Sequence, residues 1–132
     1  MMVGTAQNSV DPREVERFAR MAANWWDLRG PMAPLHKLNP VRVGYIRDQA
    51  CERFGREAKH LGCLKGLRIL DIGCGAGILS EPLARLGAEM IGIDPAGENI
   101  EAALIRQRVA FATARADVPV AVSCFCAGGM AA

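Results

Sequence analysis

No apolar stretch in the 132 residues approaches the length of a transmembrane helix. No dense run of Lys or Arg is present either. The basic residues are interspersed with acids for a net charge of +2, so neither nucleic acid nor an anionic membrane surface is indicated as a partner. Cysteine occurs five times, at 51, 63, 74, 124 and 126, but never as a C-x-x-C pair. That odd count argues against a zinc site and for a reducing compartment. The first ten residues carry no basic side chain and no apolar core of signal-peptide length, so secretion is not expected and a cytoplasmic location is the default. No low-complexity segment interrupts the chain, and the length with 51% apolar residues suits one small domain.

What is present centres on Leu67-Arg68-Ile69-Leu70-Asp71-Ile72-Gly73-Cys74-Gly75-Ala76-Gly77-Ile78. Leu67, Ile69, Leu70 and Ile72 form the short apolar run of a parallel strand covered on both faces. Three glycines at alternate positions follow, where the absence of a Cβ permits positive φ and close approach of a ligand to the backbone. Ile78, Leu79, Leu83 and Leu86 then recur at helical spacing, with the opening amides of that helix expected to point at the ligand. Gly87 ends the helix, and Ala88 to Asp94 reads as a second strand ending in an acid. In a right-handed β-α-β crossover Asp94 emerges beside the glycine turn, about 20 residues after Gly73, as in units that hold a ribose through its hydroxyl pair.

The chemistry of the corner narrows the ligand. A P-loop needs Gly-Lys-Ser/Thr, and here Ile78 and Leu79 follow Gly77. The nicotinamide fingerprint G-x-G-x-x-G is replaced by Gly73-x-Gly75-x-Gly77, with Asp71 two residues before the first glycine. A carboxylate there repels a pyrophosphate and suits an ammonium group. A nicotinamide-dependent oxidoreductase is therefore disfavoured, and a non-catalytic nucleoside-binding module remains an alternative.

Upstream, Asp11-Pro12-Arg13-Glu14 reads as a helix start with Asp11 as N-cap and Glu14 closing a capping box. Val15, Phe18, Ala19, Ala22, Trp25 and Trp26 make one apolar face. Adjacent tryptophans cannot both point inward, so one is expected to cover a cleft or pack under the next loop. Gly30-Pro31 ends this helix, His36 falls in a loop, and Asn39-Pro40 opens a second helix with its stripe at Val43, Ile46, Ala50, Phe54, Ala58 and Leu61. Arg42 then lies in a first turn, where a cation opposes the helix dipole and a partner carboxylate would explain it.

Leu70-Asp71-Ile72-Gly73-Cys74-Gly75-Ala76-Gly77 resembles the first motif of the Rossmann-like class I methyltransferases that use S-adenosylmethionine, and Ile93-Asp94 resembles their acidic second-strand end. The blocks Trp25-Trp26-Asp27 and Pro34-Leu35-His36-Lys37-Leu38-Asn39-Pro40-Val41-Arg42-Val43-Gly44-Tyr45-Ile46 are more particular. They are similar to the ubiquinone-biosynthesis O-methyltransferases, over about Asp11 to Ala103. The resemblance implies an α/β fold, with two helices before the parallel β-α-β unit. It implies S-adenosyl-L-methionine held by Arg42, Asp71, Gly73, Gly75 and Asp94, and methyl transfer to a hydroxyl of a polyprenylated phenol or catechol; no residue is assigned to a metal. The substrate would dissolve in the inner membrane, so peripheral contact with that membrane is implied too. His36 is a weak candidate for the base that deprotonates the phenol.

After Ala103 the motif content falls away. The expected organisation is a flexible segment over 1–10, a helical region over 11–62, the β-α-β half over 63–103 and a divergent tail over 104–132. The tail holds one acid, Asp117, and an apolar run over Val118 to Cys126 that suits a strand, with Pro119 confining it to a sheet edge or to the strand's start. A shift of reading frame or a cut near residue 104 would account for it. The resulting fold is incomplete, with open sheet edges and an uncovered apolar face, and its activity is doubtful.

Overall fold

A computed structural model describes residues 11–113 and 121–126. Residues 1–10, 114–120 and 127–132 lie outside it, and with them the expectations for the N-terminal segment, Asp117, Pro119 and the final tail. The element order is α1 (Pro12–Arg20), a 3-10 turn (Ala22–Asn24), α2 (Ala33–Arg53), β1 (Arg68–Ile72), α3 (Ser80–Arg85), β2 (Glu89–Asp94), α4 (Gly97–Thr113) and β3 (Ala121–Cys126). The β-α-β unit forms where the residue pattern put it. Residue 104 falls inside α4 rather than between elements, and the apolar run beyond it supplies a third strand.

The helical region differs from expectation at both helices. Asp11 does cap α1, its Oδ1 accepting from the backbone N–H of Arg13 at 2.9 Å. The helix stops at Arg20, and the chain reaches the tryptophans through the 3-10 turn. The second helix begins at Ala33, with Pro34 in its first turn, so Asn39 and Pro40 lie inside it. His36 is helical rather than in a loop, and Arg42 is well inside the helix, away from the positive end of its dipole. Two prolines compete for the start of one helix here, and the earlier wins. A proline at the first positions forfeits an N–H that no helix uses, whereas Pro40 removes one the helix needs and leaves the carbonyl of His36 without its helical donor. The other end also falls short. α2 stops at Arg53, leaving Phe54 and Leu61, assigned to its apolar stripe, exposed beyond it.

All three strands are parallel, in the order β1-β2-β3. Register pairs Ile69 with Met90 and Asp71 with Gly92 on one face, and Leu70 with Ile91 and Ile72 with Ile93 on the other. Both crossovers step in the same direction across the sheet, and right-handed connections then place α3 and α4 on the same side. On the covered face Met90 packs with Leu83 and Ala84 of α3, Cys51 of α2, Cys63 and Leu64. Burial and a hydrogen bond with Cys51 push the Cys63 thiol up, so it stays neutral within this apolar cluster.

The other face is bare. Leu70 is 56%, Ile72 75% and Ile91 36% exposed. The expectation of a strand covered on both faces is thus corrected, and β1 has no strand on its outer side among the described residues. No helix among the described residues is long and apolar enough to cross a membrane.

Two substitutions test this packing by urea unfolding. Leu83→Ala in the covered face is expected to cost about 2–5 kcal/mol. Pro40→Ala, restoring a helical N–H at an exposed position, is expected to raise stability by about 1–3 kcal/mol. No gain would mean that α2 is bent to fit the proline.

Candidate nucleoside site

The glycine turn begins as β1 ends, and the first fact about it is where its N–H groups go. Gly73 and Cys74 both donate to the carbonyl of Ile93, at 2.7 and 3.0 Å. Gly77 donates to the Cys74 carbonyl at 3.0 Å, and Gly75 donates to Asp94 Oδ2 at 2.9 Å. The helix that follows starts at Ser80, two residues later than expected, and has six residues. Of the amides that open this helix, that of Glu81 donates to the Gly77 carbonyl at 2.9 Å. The donors of the turn bind it to the end of β2, so what it offers is Cα and carbonyl surface.

Asp94 is the other half of that junction. Its Oδ1 accepts from the backbone N–H of Ala96 at 2.9 Å and from Asn99 Nδ2 at 3.2 Å, while Oδ2 holds Gly75. A carboxylate has about four acceptor positions, so one remains for a hydroxyl. Asn99, absent from the sequence-based site, is 1% exposed, and its Oδ1 has no hydrogen-bond partner. The signal for it was a polar side chain in the first turns of the helix after Asp94.

Beside this junction lies a cleft of about 440 Å³, within the range of small-molecule sites. Gly73, Asp94, Pro95, Ala96 and Asn99 form one wall. Asp11, Glu14, Val15 and Phe18 of the α1 region form the other, with Trp25 at the base. The apolar face of α1 therefore faces a cleft, and no residue of that helix is fully buried. Asp11, Glu14 and Asp94 are the charged residues of the lining, and all are acids.

Of the residues expected to form the site, Gly73 and Asp94 line the cleft, and Gly75, bonded to Asp94, lies behind that lining. Asp71 does not line the cleft; its Oδ2 accepts from Ser80 Oγ at 2.6 Å. Arg42, on α2, is likewise outside the lining. The His36 ring bonds through Nε2 to the Trp25 carbonyl at 2.7 Å. Since that carbonyl accepts, Nε2 carries a proton and the histidine positions the tryptophan segment. Trp26 donates to the Ala76 carbonyl at 3.0 Å, with the Arg106 guanidinium 4.3 Å from its ring. The expectation that one tryptophan covers a cleft holds for Trp25.

Gly75 explains why the turn needs its glycine. Its φ is +55°, and a Cβ there would stand 2.2 Å from Cη2 of the Trp25 indole.

A family described as methyltransferase domain matches residues 43–126, more than half of the chain. The chain belongs to the methyltransferase-domain family. The match includes α4 and β3, so family sequence continues past residue 103. Curated relatives named ubiquinone biosynthesis O-methyltransferase are similar over the amino-terminal three quarters. The Rhodopseudomonas palustris (strain BisB5) protein is 60% identical over 100 residues, 76% of this chain and 40% of that protein. The Bradyrhizobium sp. (strain ORS 278) protein is 58% identical over 99 residues, 75% and 39% of the two. This member of the family thus spans about two fifths of the length of the relatives it matches. Among solved structures, magnesium protoporphyrin IX methyltransferase from Synechocystis PCC 6803, crystallised with bound SAH, superposes with a TM-score of 0.50. It is 24% identical, over 86% of this chain and 46% of that one, a likeness of fold.

Two variants test the junction. Gly75→Ala meets both the indole and a positive φ, and is expected to destabilise by about 2 kcal/mol or more. Asp94→Ala strands the Gly75 and Ala96 amides and is expected to cost a similar amount, about 2 kcal/mol or more. Unchanged urea midpoints for both would show that the turn is not held as described.

Proposed function

We propose that the cleft is the nucleoside site for S-adenosylmethionine, and that this chain carries the amino-terminal, cofactor-binding part of an O-methyltransferase of ubiquinone biosynthesis. The observation that carries the cofactor reading is the cleft's charge. Its charged lining is acidic and the adjoining turn spends its N–H donors internally. A pyrophosphate would meet three carboxylates and few donors, whereas a sulfonium with an ammonium group is attracted by the same surface. The relatives' names favour a polyprenylated phenol or catechol as methyl acceptor.

In this reading the last acceptor position of Asp94 takes a ribose hydroxyl, and Gly73 and Gly75 give the backbone wall. Asp71, tied by one oxygen to Ser80, is the proposed partner of the ammonium group. Arg42 is the proposed partner of the cofactor carboxylate, supported by the N-P-x-R pattern. Bound there, the cofactor would supply an electrophilic methyl group to the phenolate oxygen, with S-adenosylhomocysteine leaving with the carbon–sulfur electron pair and the phenol's proton passing to solvent. The protein's share is alignment and exclusion of water. The reaction is placed in the cytoplasm, at the inner-membrane surface where such a substrate dissolves.

A second reading is favoured by the bare face of Leu70, Ile72 and Ile91. In it the chain binds the nucleoside without turning over.

Calorimetry with S-adenosylhomocysteine tests the site. Binding is expected that NADH does not compete with, weakened about tenfold or more by Asp94→Asn through loss of a charge-assisted hydrogen bond. Preference for NADH would overturn the reading. Methyl transfer from S-adenosylmethionine to a demethylated quinol separates turnover from binding alone.

A further inference from the structure

Trp25 combines three features that the nucleoside reading does not use. It is 8% exposed, and its Nε1 has no hydrogen-bond partner. Its ring lies directly on Gly75, with Cη2, Cζ3 and Cζ2 at 2.2, 2.3 and 3.0 Å from where a Cβ would be. It also lines the cleft together with Gly73 and Asp94. A ligand running from Asp94 toward the turn therefore meets the indole before it meets Gly75.

We propose that Trp25 is a gate on this cleft, its indole covering Gly75 in the conformation described and swinging off that glycine as the ligand seats. The inference rests on the nucleoside reading above. An indole N–H buried without an acceptor makes the covering pose costly. Displacement toward a ligand rich in acceptors gives that donor a partner. The hinge is already built. His36 Nε2 pins the Trp25 carbonyl at 2.7 Å, and Trp26 is fastened to Ala76, so the backbone stays while the side chain turns.

Trp25 belongs to a buried cluster with Met32, Ala76 and Ile78, so the swing exchanges part of that packing for contact with the ligand, and the α1 side is the one that gives way. Phe18 is 6.4 Å away between centroids in a tilted contact. Its helix, α1, has no fully buried residue, and its ion pairs, Arg17 with Glu14 and Arg20 with Glu16, are exposed. Elements held by so little buried surface open at low cost. Asn99 adds an acceptor, Oδ1, also buried without a partner in the same lining. An orphan donor and an orphan acceptor in one cleft both call for a polar group that the protein does not supply.

The test is titration of the whole ¹⁵N-labelled chain with S-adenosylhomocysteine, following the two indole N–H resonances, with calorimetry alongside. Trp25→Phe and Trp26→Phe, each of which deletes one signal, assign them. The expected result is a saturable shift of the Trp25 resonance with slowed exchange against water, while the Trp26 resonance holds still. In stopped flow, Trp25→Ala is expected to associate about tenfold faster, because the closed fraction no longer taxes binding. Heat of binding with an unmoved Trp25 resonance would overturn the gate and leave the nucleoside site standing. A folded chain with neither heat nor shift would overturn both.

Discussion

The carboxylate of Asp94 is the constraint from which the rest of the site follows. It stands at the end of β2 and holds three donors: Gly75 from the turn after β1, Ala96 from the approach to α4, and Asn99 from α4 itself. The glycine turn, 19 residues upstream, is thereby fixed against the end of β2 and the start of α4. At 8% exposure the bonds are made in a low dielectric, where each is stronger than in water and each loss leaves a stranded amide. The Ile93 carbonyl, accepting from Gly73 and Cys74, closes the same junction one residue earlier. An acid expected to serve the ligand thus serves the fold first, with one acceptor position left over.

The β-α-β unit was legible in the sequence because each of its parts is determined locally. Apolar alternation, glycines at 73, 75 and 77, and Gly87 as a stop all act within a few residues. The helical region was less legible because its competing signals are resolved by tertiary contacts. Asn39 looks like a cap, but its Nδ2 donates to the Ile78 carbonyl at 2.7 Å, a partner 39 residues away. That bond fastens α2 to the segment after the glycine turn, and it is available only if Asn39 sits inside the helix. The apolar face of α1 was read correctly as a face, but periodicity does not say whether a face meets a core or a cleft. Asn99 was missed for a related reason: nothing in its neighbours announces that Asp94 will reach it.

The bare side of the sheet follows from topology rather than from any weakness of sequence. A chain that lays down β1, β2 and β3 by two right-handed crossovers in one direction puts both connecting helices on one side. Covering the second side requires chain that reverses direction from β1, which no described element does. Leu70, Ile72 and Ile91 are apolar nonetheless, as a parallel strand demands when both its faces are meant to be dry. The residue pattern of β1 therefore reports a two-sided environment and the structure supplies one side. The relatives, of which this chain matches about 40% of the length, have ample chain for the other.

That asymmetry leaves the cleft intact, because the cleft depends on a different set of contacts. Its walls are the Asp94 junction, reaching to Asn99 of α4, and the α1–Trp25 segment, and neither draws on the exposed face. The junction is held by buried hydrogen bonds, whereas the opposing wall is held by apolar packing of Trp25 on Met32, Ala76 and Ile78, by surface ion pairs and by the anchors of Trp26 and His36. A wall carrying Asp94 and an opposing one carrying Asp11, Glu14 and aromatic rings suit a flat, cationic nucleoside: acids on both sides set its polarity and the rings meet its flat face. A phosphate ligand needs the reverse, a rigid array of N–H donors, and in this turn those donors are already bonded to Ile93, Cys74 and Asp94. Selection between the two ligand classes is thus made by backbone hydrogen bonding before any side chain touches the ligand.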